Sequence, residues 1–262
     1  MISEIEKVIL VPCDFSSLGF YALEHGTFMS KIMNSRLVML HVVAHESEIA
    51  AMRKKMEFIV EDWFEKFAIR PEILIRCGIQ PYSVIKDVAN ELEPIFVILK
   101  TGGGTKTIEI LSGTSIPFIV IQDEPKSETM TNIALPINFM LKLDEKMKRV
   151  IHFADYYPEA MMHIITPSGK GTTKERNVST AINLTRKVLN DQNIKVNYIT
   201  HNGKKNTAET ILEHCIDCNM IVVQIEDSTW LSRLLFGMRE EKLIKNEHKI
   251  PVFCFRKESA FV

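Results

Sequence analysis

The stretch that decides the fold is VILVPCDF, residues 8–15, because it returns 124 positions later as NIALPINF, residues 132–139. Proline falls on proline and phenylalanine on phenylalanine, and Asp14 stands opposite Asn138. Each copy is a short apolar run that ends in turn-forming residues and precedes a helical pattern, which is typical of a strand that leads into a helix. The repeat therefore predicts two copies of one α/β domain.

The elements that follow each copy recur in the same order. The predicted strands of the first half are residues 36–43, 72–77, 95–99 and 118–121, and those of the second half are residues 161–166, 196–200, 220–225 and 252–255. Helical patterns lie between the strands, most clearly over residues 48–67. This alternation indicates parallel βαβ units with right-handed crossovers. We therefore expect two tandem Rossmann-like, doubly wound α/β domains, each with a five-stranded parallel sheet flanked by helices.

A polar stretch near the middle, DEPKSETMT at residues 123–131, is the predicted join between the two domains. We therefore place the domains at residues 1–124 and 129–262. The chain of 262 residues is 46 % hydrophobic and 25 % charged. This is a globular composition with enough apolar material for two cores.

Charge and cysteine content argue against several classes of protein. The net charge of -1 gives no basic excess for nucleic acid. No apolar run approaches the ~20 residues of a membrane helix, and the first residues lack the pattern of a signal peptide. The five cysteines are odd in number and lie mostly in apolar runs, which indicates reduced thiols. We therefore expect a cytoplasmic protein with no nucleic-acid or membrane partner.

The first half closely resembles a domain of the universal stress protein family, and the second half is a more divergent copy. The resemblance rests in the first half on VPCDFS at 11–16, LVMLHVV at 37–43, GIQP at 78–81 and Ile116-Pro117, and in the second half on Leu135-Pro136, Gly203, WLSRLLFG at 230–237 and Ile250-Pro251. It implies the strand order 3-2-1-4-5 in each domain. In such sheets, ligands bind beyond the carboxyl ends of the strands where the order reverses.

The resemblance also implies a nucleotide site. ATP-binding members have an acidic residue after strand one, near the adenosine, and a Gly-x2-Gly-x9-Gly-Ser/Thr loop after strand four that wraps the phosphates. Glycines let backbone N–H groups approach phosphate oxygens. The candidate binding residues in this chain are Asp14, Val43, Gly102, Gly103, Gly104 and Thr105.

The phosphate loop of the first half is shortened. Ile95 and Pro117 are 22 positions apart, whereas Met220 and Pro251 are 31 apart, so nine residues of the wrapping segment are missing. Two interpretations of KTGGGT, residues 100–105, stay open. The glycines either hold a simple anion beside a helix start or form a tight turn that needs positive φ.

The second half keeps the length of the loop but not its chemistry. When Gly237 is placed at the third glycine, Asp227 falls at the second and Gln224 at the first, and Met238 replaces the hydroxyl residue. The carboxylate would repel a polyphosphate. Because Asn138 also replaces the acidic residue, we expect no nucleotide in the second half.

Three further features have a structural and a functional interpretation. Asp14 is either an adenosine ligand or a turn-forming or capping residue, although Ser16 and Ser17 can cap the same helix. Cys215 and Cys218 form a CxxC that is either a metal or redox site or a pair of packed or half-exposed thiols. The thiol interpretation is favoured, because no second ligand pair has matching spacing and because the pair ends a helix, whereas thiolate activation favours a helix N-terminus. The basic run Arg53-Lys54-Lys55 either contacts an acidic partner or, as we favour, is the solvated side of an amphipathic helix.

The resemblance, taken with the degenerate ATP motifs, implies a non-catalytic stress-response regulatory or interaction protein with an unidentified protein partner. The tandem chain would be an intramolecular pseudo-dimer, and a homodimer of it is compatible with the same interpretation. The alternative is an adenine-nucleotide module that binds ATP or AMP in the first domain and at most hydrolyses ATP slowly. No catalytic or metal-binding residue is predicted.

Overall fold

The computed structural model describes residues 7–101, 114–136, 153–167, 191–201, 208–225 and 240–256, together with positions 151, 183, 186, 187 and 189. Contacts within the chain separate two compact units. The main body of the first unit is Met1–Glu128, and the second unit is Thr129–Lys257.

The first unit is a five-stranded parallel sheet with helices between its strands. Its elements are β1 (Val8–Pro12), α1 (Ser17–Met33), β2 (Arg36–Val43), a 3-10 turn (Glu46–Glu48), α2 (Ile49–Phe67), β3 (Glu72–Cys77), α3 (Pro81–Leu92), β4 (Phe96–Lys100) and β5 (Phe118–Ile121). The strands lie in the order β3-β2-β1-β4-β5, and each neighbouring pair is parallel. The predicted fold class and strand order are confirmed for this unit.

The second unit repeats this topology. Its described elements are β6 (Asn132–Pro136), β7 (Met161–Pro167), β8 (Val196–His201), α4 (Ala208–Glu213), β9 (Met220–Ile225), α5 (Glu240–Ile244) and β10 (Val252–Arg256). Its strands lie in the order β8-β7-β6-β9-β10, again all parallel. Counted from its own first strand, this is the same 3-2-1-4-5 order.

The first strand of each unit is the centre of its core. Ile9, Leu10 and Val11 in β1 have no exposed surface, and neither do their counterparts in β6. A central parallel strand is covered on both faces, so its sequence is a continuous apolar run and does not alternate with polar residues. This is why the repeated VILVP and NIALP stretches predict the fold so well.

Helix α1 lies against the sheet at Gly26. A Cβ atom there would stand 2.8 Å from Val11 Cγ2 and 2.9 Å from Leu37 Cδ1, so a larger residue would push the helix away from β1 and β2. The close approach allows the helix to bury Leu23 and Met29.

Helix α2 packs on α1 through Trp63. The indole Nε1 donates to Thr27 Oγ1 at 2.9 Å, and the Thr27 hydroxyl donates to the Leu23 carbonyl at 2.8 Å. The Trp63 ring also contacts Phe67, with ring centroids 4.7 Å apart. Of the helices within the described ranges, none has the length and apolar character needed to cross a membrane.

Candidate functional site

The topology of the first unit creates a crevice between β1 and β4. These strands are neighbours, with Ile9 paired to Phe96 and Leu10 to Val97. The chain leaves β1 towards β2 on one side and leaves β4 towards β5 on the other. Connections that diverge in this way open a ligand-sized crevice at the carboxyl ends of the two strands.

Two opposite charges meet at this crevice. Asp14 follows β1 and Lys100 ends β4, and the Lys100 ammonium forms an ion pair with Asp14 Oδ2. Lys100 Nζ also donates to Ser16 Oγ at 2.8 Å. Asp14 Oδ1 accepts hydrogen bonds from the Ser16 hydroxyl at 2.6 Å and from the Ser16 backbone N–H at 3.2 Å. The carboxylate is therefore held by three hydrogen bonds from within the chain.

Ser16, and not Asp14, caps helix α1. Ser16 Oγ accepts from the Gly19 N–H at 3.1 Å, which satisfies one of the free donors of the first turn. A Cβ on Gly19 would stand 2.8 Å from Asp14 Oδ1, so the glycine leaves room for the carboxylate above the helix start. Of the two structural interpretations of Asp14, the turn-forming one is confirmed and the capping one is wrong.

The pairing keeps Asp14 ionised. Partial burial alone would raise its pKa, but the hydrogen bonds from Lys100 and Ser16 outweigh that effect and lower the pKa to about 2. The neighbouring Cys13 thiol is the opposite case. Burial is the main influence on it and raises its pKa to about 11, so it stays a neutral thiol.

The turn between Asp14 and Ser16 is fixed by the Phe15 ring. Phe15 has a φ of 60°, a left-handed conformation that is unusual for an aromatic residue. Its ring stacks on His41 with centroids 4.4 Å apart, and Lys55 Nζ lies 4.3 Å from the ring centroid. His41 Nδ1 donates to the Cys13 carbonyl at 2.7 Å. These contacts make His41 a satisfied structural residue.

Val43 lies at the same edge of the sheet as Asp14, at the end of β2. Its side chain is buried, and its carbonyl accepts from the Gly78 N–H at 2.9 Å. The loop that follows is ordered by Glu48, whose Oε2 accepts from the N–H groups of Ala44 and His45, each at 3.0 Å. The loop that follows Val43 is therefore held in place by hydrogen bonds.

Several predicted site residues lie outside the described residues. They are Gly102, Gly103, Gly104 and Thr105 in the first half, and Asn138, Asp227, Gly237 and Met238 in the second. Gln224 is described, and the strand register gives its equivalent. Because Phe96 pairs with Ile9 as Met220 pairs with Ile133, Gln224 is the counterpart of Lys100.

The CxxC of the second unit is a pair of packed thiols. Cys215 and Cys218 are both free and buried. The hydrogen bond between the two thiols, together with burial, raises the pKa of Cys215. Within the described part of the chain, no group of three His, Cys, Asp or Glu side chains is placed to hold a metal ion.

The sheet order and the switch-point crevice define a doubly wound α/β protein in two tandem copies. Over 97 % of its length the chain is similar to a universal stress protein from Archaeoglobus fulgidus DSM 4304, with a TM-score of 0.73, 16 % identity and 98 % of that chain covered. A functionally unknown protein from Pseudomonas aeruginosa PAO1 is similar over 96 % of this chain and 92 % of its own, with a TM-score of 0.64 and 12 % identity. No protein-family model and no curated protein matches the sequence. The chain therefore has the fold of universal stress proteins over nearly its whole length.

Proposed function

We propose that this chain is a universal stress protein of the regulatory type, which acts in the cytoplasm through a protein partner and without catalysis. Its first-unit crevice does not bind ATP tightly. The observation that supports this proposal is the internal pairing of Asp14 with Lys100 and Ser16. The free state of all five cysteines fits a reducing compartment.

The Asp14 carboxylate has little capacity left for a ligand. A carboxylate offers about four acceptor positions, and three are taken by the Lys100 ammonium and by the hydroxyl and N–H of Ser16. A sugar hydroxyl that approached Asp14 would find one acceptor position left, and at the others it would compete with charge-assisted hydrogen bonds that the chain already makes.

The shortened loop removes the phosphate-binding part of a nucleotide site. The nine residues missing between Ile95 and Pro117, relative to the second half, are those that would enclose the phosphates. Backbone N–H groups contribute most of the contacts in such loops. With the acidic residue engaged and the loop short, neither end of ATP finds a complete set of partners.

A second candidate function is the binding of AMP or a simple anion by the first unit. It is favoured by the Lys100 ammonium, which stands at the switch point with 31 % of its side chain exposed. Because the Asp14 side chain is 54 % exposed, solvent screens the ion pair, and it contributes only about 0–1 kcal/mol. A phosphate could therefore draw Lys100 away from Asp14 at small cost.

Calorimetric titration separates these two functions. Wild type, Lys100→Gln and Asp14→Asn would each be titrated with ATP and Mg²⁺, with AMP and with inorganic phosphate. Lys100→Gln is the informative variant because glutamine is the residue that the second unit has at this place. It releases Asp14 and removes the cation in one step.

If the regulatory proposal is right, the Kd of wild type for ATP is no tighter than about 100 μM, which corresponds to about 5.5 kcal/mol of binding free energy. ATP turnover should also stay at background. A low-micromolar ATP affinity that is lost in Asp14→Asn would contradict this proposal. The anion function instead expects millimolar or tighter AMP or phosphate binding that disappears in Lys100→Gln and survives in Asp14→Asn.

A further inference from the structure

Helix α2 has an outer strip of side chains that the first unit leaves uncovered. The strip consists of Lys54, Lys55, Phe58, Glu61, Asp62 and Glu65, and all six are exposed. They are spaced three and four residues apart, so they share one face of the helix. The opposite face, with Met56, Val60 and Phe67, is buried against the unit.

Phe58 is the centre of the outer strip. Its side chain is 74 % exposed, and it is the middle residue of the helix Ile49–Phe67. Single exposed apolar residues are common on protein surfaces and need no explanation. The meaning of Phe58 depends on the charges placed around it.

These charges change sign about Phe58. Lys54 and Lys55 precede it by four and three residues, and Glu61 and Asp62 follow it by three and four. Two copies of the helix can be related by a twofold axis that lies between their Phe58 side chains and is perpendicular to both helices. Every cation of the strip would then lie opposite an anion of the other copy. A parallel pairing would place like charges together, which is unfavourable.

We infer that the outer strip is a self-association surface, on which α2 of a second copy of this chain packs antiparallel. Phe58 contacts Phe58 of the second copy, Lys54 faces its Asp62, and Lys55 faces its Glu61. An isologous contact of this kind is self-complementary, so it closes at a dimer and does not continue into a filament.

The interface is small, so the dimer is weak. A helix of 19 residues is about 28 Å long, and two such helices bury less than the roughly 1,600 Å² of a standard interface. Exposed ion pairs add little each and are screened by salt. The dimer therefore forms at high micromolar concentrations and dissociates as the salt concentration rises.

Lys54 and Asp62 are the best residues for a test. Within the described residues neither is in an ion pair or hydrogen bond. By contrast, Lys55 covers the Phe15 ring and Glu61 pairs with Arg70. Reversing Lys54 or Asp62 therefore changes the outer strip without disturbing a contact inside the unit.

The measurement is sedimentation equilibrium of the full chain from about 10 μM to 1 mM at low salt. Wild type should show a monomer–dimer equilibrium that Phe58→Glu abolishes. Lys54→Glu and Asp62→Lys should each weaken the dimer about tenfold, because the symmetry converts two attractive contacts into two repulsive ones. Arg53→Glu, the same charge change on an exposed neighbour outside the strip, should leave the equilibrium unchanged.

Restoration of the dimer identifies the antiparallel geometry. An equimolar mixture of Lys54→Glu and Asp62→Lys chains should form a heterodimer of wild-type affinity, and the double variant K54E/D62K should dimerise again. The inference is overturned if wild type stays monomeric at 1 mM, if a dimer persists in Phe58→Glu, or if neither the mixture nor the double variant restores it. Circular dichroism of each variant confirms that the chain is folded.

Discussion

The two units differ in both residues of the charged pair. The first unit has Asp14 and Lys100. The second unit has two neutral amides instead, Asn138 at the position of the sequence repeat that corresponds to Asp14, and Gln224 at the sheet position of Lys100. In a homodimer both sites share one sequence, whereas in this tandem chain each copy diverges alone. The comparison therefore isolates what the charged pair contributes to the first unit.

The units also differ in the middle of the core. Leu10 in β1 and Ala134 in β6 occupy equivalent places in the sheet, and both are fully buried. The central strand therefore contributes a larger buried side chain to the core of the first unit. The surroundings of each site must be adapted to its own residue, because protein interiors have few voids.

Replacing Leu10 by alanine, the residue of the second unit, should have the largest effect. We expect the first unit to lose about 2–5 kcal/mol of unfolding free energy, because a cavity remains where the leucine was. Trp63 lies in the first unit, and the chain has two tryptophans, so urea unfolding in a Trp230→Phe background follows this unit alone. A loss below about 1 kcal/mol would show that the two cores are interchangeable at this place.

The buried His25 should make the first unit sensitive to mild acid. Its Nε2 donates to the Asp123 carbonyl at 3.2 Å, and burial, only partly offset by this bond, lowers its pKa from 6.5 to about 4. The unfolded chain therefore binds a proton below pH 6.5 that the folded unit binds only near pH 4. Stability should fall by up to about 3 kcal/mol as the pH drops through that window.

The variant His25→Gln is the matched control, because it keeps a donor for Asp123 but cannot be protonated. Its urea midpoint, followed by Trp63 fluorescence, should change less between pH 7 and pH 4.5 than that of the unsubstituted protein. Equal changes in the two proteins would assign the acid sensitivity to other groups.

The reverse core substitution, Ala134→Leu, should destabilise the second unit by about 1–3 kcal/mol, because the added carbons have no space in a packed core. The stability of this unit can be measured by hydrogen exchange of the β6 amides, a method that needs no tryptophan signal. Unchanged protection in β6 would mean that a hidden cavity accepts the leucine, and the volume comparison between the units would then be wrong.

The smallest effect should come from giving the first unit the amides of the second. The double variant Asp14→Asn, Lys100→Gln should change the unfolding free energy by less than about 1 kcal/mol at pH 7, because the pair is largely exposed. The pKa of Asp14 is lowered to about 2 in the folded state from 3.8. The wild-type pair therefore stabilises above about pH 4 and loses its effect as the pH falls towards 2. A larger loss in the double variant at pH 7 would show that the crevice screens the pair poorly.

The fold was predictable from sequence because its central strands are buried on both faces. The apolar runs of β1 and β9 are short and end in turn-forming residues, which favours strands over buried helices, and the repeat supplies the second copy. The predicted boundaries of β4 were each one residue too early. The pattern predicts a strand at 95–99, whereas the strand runs from Phe96 to Lys100. Lysine is a polar residue at a strand end, so an apolar pattern stops before it.

The candidate site was predictable only in part. Asp14 was identified, but its partner Lys100 is 86 positions away, and only the neighbouring placement of β1 and β4 brings them together. The ring contacts of Phe15 were missed for a different reason. A left-handed φ is expected at glycine or asparagine, so the sequence had no signal for an aromatic residue in that conformation.

The arrangement of the cysteines has a practical consequence for work on this protein. Four of the five thiols are buried, and the exposed one, Cys77, stands at the end of β3 with its Sγ donating to the Ala44 carbonyl at 3.4 Å. A maleimide dye would therefore attach at one place without removal of any native cysteine. That place is the carboxyl edge of the first sheet, the same edge as Asp14, so the protein already has a single labelling point for an optical sensor of whatever enters its crevice.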